Sequence, residues 1–68
     1  MVFKNSFTDV TLTQKEFVKF VWEETERQFK ENNADENWED LTKEEQIDLY
    51  CEQFEWQING RGWSIVAE

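Results

Sequence analysis

Thr13-Gln14-Lys15-Glu16 and Thr42-Lys43-Glu44-Glu45 both read Thr-x-x-Glu, and they decide the fold. In each, the Thr hydroxyl accepts a hydrogen bond from an orphan backbone N–H of a starting helix, while the Glu carboxylate accepts one from the Thr N–H. Each is followed by an amphipathic pattern, so each marks a helix start. After the first, Phe17, Val18, Phe20, Val21, Trp22, Thr25 and Phe29 cover an arc of roughly 200° at the helical repeat. Lys15, Lys19, Glu23, Glu26, Arg27 and Lys30 fill the opposite arc, with Glu23–Arg27 and Glu26–Lys30 spaced i,i+4 in the favourable order. The reading is a helix over 14–30 with a self-neutralised polar face. Its apolar arc is wider than one helix neighbour needs.

After the second box, Ile47, Tyr50, Cys51, Phe54 and Ile58 form an apolar stripe, and Glu44, Asp48, Glu52 and Glu55 form an acidic one beside it. A helix over 43–58 is the preferred reading, stopped at Asn59-Gly60 with Gly60 taking positive φ. An alternative ends that helix near Gln53. Phe54, Trp56 and Ile58 then alternate as a strand, turn at residues 59–62 and pair with Trp63 and Ile65 in a β-hairpin.

Outside the helices, residues 2–7 and 63–66 are strand-like and suited to pair with each other. The linker over 31–41 is polar and acidic, with Trp38 and Leu41 placed to fold back on the core. The fold class expected is mainly α with minor β (α+β), an antiparallel two-helix hairpin with short terminal β segments. Its core is drawn from Phe17, Phe20, Val21, Ile47, Tyr50, Phe54 and Ile58, completed by Phe3, Phe7, Trp63 and Ile65. Cys51, within the apolar stripe, is expected to be a small core residue.

The chain has 68 residues, which fits one small domain. Such a chain buries only roughly 60% of its unfolded surface, so its stability is expected to be modest. Four Trp and six Phe argue against disorder despite the high charge. The net charge is −9, and all of it lies in residues 31–55. Ten acids (Glu31, Asp35, Glu36, Glu39, Asp40, Glu44, Glu45, Asp48, Glu52, Glu55) face one base there, Lys43. The rest of the chain balances six acids against six bases.

These features bound the function. With no histidine, the commonest metal ligand and general base is missing. Cys51 is the only cysteine and its neighbours are acidic, which opposes a thiolate nucleophile. A two-helix domain has little interior for a catalytic carboxylate pair, so no enzyme is expected and no cofactor is implied. Counted from Asn33, residues Asn33, Asp35, Asn37, Glu39 and Glu44 take ligand positions of a calcium loop. Trp38, however, stands where that loop needs Gly and Leu41 stands at the ninth position, so no metal site is assigned. The acidic surface opposes direct binding to nucleic acid and to anionic membranes. Residues 1–12 lack the apolar run of a signal peptide, and a lone cysteine suits a reducing compartment, so a cytoplasmic location is expected.

Along the second helix the acids recur about every 4 Å of axis, against one phosphate per roughly 3.4 Å of a DNA strand. Proteins that imitate DNA in this way exist, many of them from phages that disable host defence enzymes. That is an analogy of class, and no family is identified in these residues. Leu49 and Trp56 flank the acids, with Gln46, Gln53 and Gln57 beyond, an arrangement of steering charge beside apolar anchors. The expected partner-binding set is Asp35, Glu36, Trp38, Glu39, Asp40, Glu44, Asp48, Leu49, Glu52, Glu55 and Trp56. The expected function is a non-enzymatic, phage-type inhibitor or modulator on the basic, nucleic-acid-binding surface of a larger protein. The alternative is a homodimer or other homo-oligomeric accessory subunit whose acids only confer solubility. Arg61, close to Trp56 and Trp63, is placed either in solvent or stacked on a ring.

Overall fold

The computed structural model describes residues 1–66. Its elements run β1 (Val2–Asn5), β2 (Thr11–Thr13), α1 (Gln14–Asn32), α2 (Lys43–Gly60) and β3 (Trp63–Val66), with a short 3-10 turn at Trp38–Asp40. The α+β architecture is the expected one. Both capping boxes form. Thr13 Oγ1 accepts from Glu16 N–H at 3.2 Å and Thr13 N–H donates to Glu16 Oε1 at 2.9 Å. Thr42 and Glu45 repeat the pattern at 3.1 Å in both directions. The Thr13 backbone and hydroxyl hold the Glu16 carboxyl below its ordinary pKa. Each helix runs two residues beyond its expected end. Asn33 closes α1, donating from its N–H and from Nδ2 to the Phe29 carbonyl.

The helix through Gly60 overturns the hairpin alternative for residues 54–66. Helical phase carries on through Trp56 and Ile58, and only Gly62, at φ +84°, turns the chain into β3. Positive φ therefore falls at Gly62 rather than Gly60. A Cβ on Gly62 would also meet the Phe7 ring at 3.0 Å. Gly62→Ala should cost about 1–2 kcal/mol from the left-handed backbone alone, read as a lowered thermal midpoint by circular dichroism. An unchanged midpoint would show that this turn relaxes freely.

The terminal segments pair as expected. β1 and β3 are antiparallel, with Val2 opposite Val66 and Asn5 opposite Trp63. The sheet gains an unexpected third strand, β2, on the other side of β1, with Val2 opposite Thr13. The β1–β2 turn contains no Gly or Pro. Asn5 Oδ1 instead accepts from Phe7 and Thr8 N–H at 2.8 and 3.0 Å, and Asp9 takes φ +61°. Asp tolerates that left-handed position better than most side chains.

Core packing is aromatic. Phe3 and Phe17 stack at 4.0 Å, and Phe54 and Trp63 each set an edge on Phe17 at 5.4 and 5.2 Å. Farther along the hairpin, Trp22 stacks on Tyr50 at 4.4 Å. Near the loop, Phe29 meets Trp38 at 5.7 Å. Four expected core residues lie outside. Phe7 is 76% exposed and Ile65 is also exposed, as are Ile47 and Cys51. On α2 the cause is the way the helix faces. To meet both α1 and the sheet, it turns Tyr50, Phe54 and Ile58 inward at one edge and sets Gln53 and Gln57, both buried, in the seam. Cys51 is then carried round to the outer flank, while Ile47, in phase with Phe54 and Ile58, lies exposed near the N-terminal end of α2. Ile65 shares its sheet face with Phe3 but sits on an edge strand.

Candidate protein-binding face

The two helices treat their charges differently. On α1, Arg27 bridges Glu24 at 2.6 Å and Glu31 at 2.7 Å, Lys30 meets Glu26 at 3.0 Å, and Lys19 meets Glu23 at 4.0 Å. The expected Glu23–Arg27 pair is thus replaced by these contacts, because Arg27 reaches carboxylates on both sides of its own turn. Donating hydrogen bonds to the Glu24 and Glu26 carboxylates holds Arg27 and Lys30 more basic than usual. This polar face is self-neutralised.

Nothing comparable occurs on α2 and its preceding loop. Among the described residues, Asp35, Glu36, Glu39, Asp40, Glu44, Glu45, Asp48, Glu52 and Glu55 form no ion pair. The local base, Lys43, lies over the Trp22 ring at 5.4 Å. All nine carboxylates are on exposed residues. Glu44, Asp48, Glu52 and Glu55 follow the side of α2 turned away from the buried Gln53 and Gln57. Like charges at i,i+4, such as Glu44–Asp48 and Asp48–Glu52, oppose the helix by about 0.2–0.5 kcal/mol each. Glu44 and Glu45 suit the helix N-terminus, but Glu52 and Glu55 lie toward the C-terminal half, where negative charge opposes the macrodipole. Asp48, Glu52 and Glu55 do not stabilise the helix that carries them.

The apolar members of the expected set divide. Trp38 is only 8% exposed, with its ring against Phe29 and its carbonyl accepting from Gln46 Nε2 at 3.0 Å. It closes the loop end of the core, so its ring is not on the surface as an anchor. Leu49 is half-buried. Trp56 is 43% exposed and borders the acidic ridge. It is held in place: the Arg61 guanidinium lies 4.3 Å from the ring centre, and a Cβ on Gly60 would meet the indole at 2.9 Å. Arg61 therefore stacks on Trp56. Gln46, Gln53 and Gln57, read from sequence as an outer fringe, belong to the interior side of α2. The other flank of the ridge carries Ile47 and Cys51, which sequence reasoning placed inside. The exposure of Cys51 could have been foreseen from three glutamines recurring on one helical line, since α2 cannot bury both lines.

The loop does not assemble a cation cage. Asn33 is tied to the end of α1, and Asn37 Nδ2 donates to Asp40 Oδ2 at 3.4 Å. Among the described residues no three acidic or cysteine side chains converge as metal ligands. Nor is any helix there long and apolar enough to cross a membrane. Comparisons with protein-family models, curated proteins and solved structures found no match to this chain.

Proposed function

We propose that the chain is a non-enzymatic binding module that occupies a basic surface of a larger protein in the cytoplasm, in the manner of a DNA mimic. One observation carries this reading: nine exposed carboxylates over α2 and its loop have no internal counter-charge, while the acids of α1 are nearly all paired. A protein that needs charge only for solubility has no reason to line its carboxylates along one helix where they repel one another. A row of that kind complements Lys and Arg arranged to hold a phosphate backbone, and it steers the encounter over distance. Trp56 and Leu49 supply contact area at the border, as aromatic anchors do at interfaces. The phage-type inhibitor is the class that such a mimic fits.

The test is capture of partners from host lysate by wild type and by the triple variant Asp48→Asn, Glu52→Gln, Glu55→Gln. Wild type should release its partner as salt rises or duplex DNA is added. The variant should bind on the order of tenfold to a hundredfold more weakly, with a melting temperature equal to or above wild type. Binding retained by the triple variant but lost in Trp56→Ala would make charge secondary and sink the mimicry. A mass of twice 8.3 kDa in solution, held at low concentration, would favour the homo-oligomer instead.

A further inference from the structure

On the Leu49 and Trp56 side of the ridge, α1 and α2 part to leave a cleft of about 400 Å³. Phe29, Leu49 and Trp56 wall it, and Thr25, Glu52 and Gln53 bring polar groups to it. Gln53 is 6% exposed, and its buried Nε2 has no hydrogen-bond partner. Buried amide donors are nearly always satisfied, so this one marks a place where an acceptor belongs. Thr25, also lining the cleft, turns its hydroxyl to donate to the Val21 carbonyl at 2.7 Å, and no hydrogen bond joins it to Gln53 Nε2. At the rim, Glu52 is exposed and unpaired. The cleft therefore has one unused donor just beneath its wall, which a small turn of the Gln53 side chain would bring to the opening, one carboxylate at its edge, and the Trp56 indole beside it.

We propose that this cleft admits one arginine residue of the partner. Its backbone carbonyl accepts from Gln53 Nε2, and its guanidinium donates to the Glu52 carboxylate beside Trp56. The inference rests on the reading that the partner is a basic protein. An anionic acceptor is disfavoured next to Glu52 and Glu55, so the group reaching Gln53 is a neutral carbonyl. Arginine fits better than lysine, because its planar head stacks on an indole and its methylene stem covers an apolar wall such as Leu49. The molecule already displays that pairing, with Arg61 stacked on Trp56.

The experiment is a titration of the ¹⁵N-labelled chain with acetyl-arginine-N-methylamide, followed at the Gln53 side-chain amide and the Trp56 indole N–H. Acetyl-citrulline-N-methylamide, a neutral isostere, and free arginine are the comparators. Both signals should move saturably with the arginine diamide, and citrulline should bind about fivefold more weakly. Glu52→Gln, at an exposed position, should erase that preference. Gln53→Leu should weaken both diamides, and Glu52→Gln still decides the matter if Gln53→Leu is misfolded. Shifts spread evenly over all the acids, or no saturable shift, would overturn the proposal. Tighter binding of free arginine than of the diamide would also overturn it, because the cleft would then serve a metabolite. Salt-sensitive partner capture without diamide binding removes this site and leaves the ridge reading standing. Diamide binding without partner capture removes the ridge reading.

Discussion

Phe17→Ala is expected to lower the thermal midpoint of the chain more than any other single truncation of its core. Phe17 is fully buried and joins both helices to the sheet. It stacks on Phe3 of β1, takes edges from Phe54 of α2 and Trp63 of β3, and neighbours Phe20 on its own helix. Truncating such a ring costs about 3–5 kcal/mol, because the lost transfer energy is joined by a cavity that its neighbours cannot fill. Stability of roughly 0.05–0.15 kcal/mol per residue gives a chain of this length only about 3–10 kcal/mol in total. The removal therefore takes roughly 30% of the stability at the least and all of it at the most. A thermal melt by far-ultraviolet circular dichroism reads the result. A cooperative transition within a few degrees of wild type would mean that the sheet and the helices do not share one core. Val10→Ala, at an exposed position, is the control and should change little.

Asn5→Ala is the second large effect. The Asn5 side chain is buried, donates from Nδ2 to the Arg61 carbonyl at 3.0 Å, and accepts from Phe7 and Thr8 N–H. One side chain thus builds the β1–β2 turn and ties it to the junction between α2 and β3. Alanine would strand two donors and an acceptor at once, at about 1–3 kcal/mol for each group left without water. A loss of about 2–4 kcal/mol is expected from urea unfolding after allowing for partial hydration. Asn5→Ser keeps a short acceptor for the turn and cannot reach Arg61 as the amide does, so it should fall between wild type and alanine. Equal losses for Ser and Ala would show that the Arg61 contact dominates and the turn bonds contribute little.

The parts of this fold readable from sequence are those fixed locally. A capping box needs four residues and no neighbours, so both helix starts were legible. The pairing of β1 with β3 followed from two strand-like segments with nowhere else to go. The β1–β2 turn was not legible because its chemistry is an Asn side chain and a left-handed Asp rather than Gly or Pro. The facing of α2 was misread because apolar residues were assumed to point inward. Packing against two different surfaces instead selected the line of Gln53 and Gln57, and it put Cys51 outside. For the candidate face, the acids were visible as a count and a spacing. Their lack of partners was not, since Arg27 and Lys30 could have reached across. Trp38 reads from sequence as an anchor, but its ring packs against Phe29.

The register that sets Val2 opposite Val66 has a mechanical consequence. Tension applied at these two residues loads the β1–β3 ladder from its open end, so its hydrogen bonds break one after another rather than together. That is unzipping rather than shear, and it proceeds at low force. Peeling stops at the other end, where Asn5 and Ser6 clasp the Arg61 and Gly62 carbonyls. This pair of stitches is the first real resistance a pulling machine would meet, and beyond it the helices are exposed to the load.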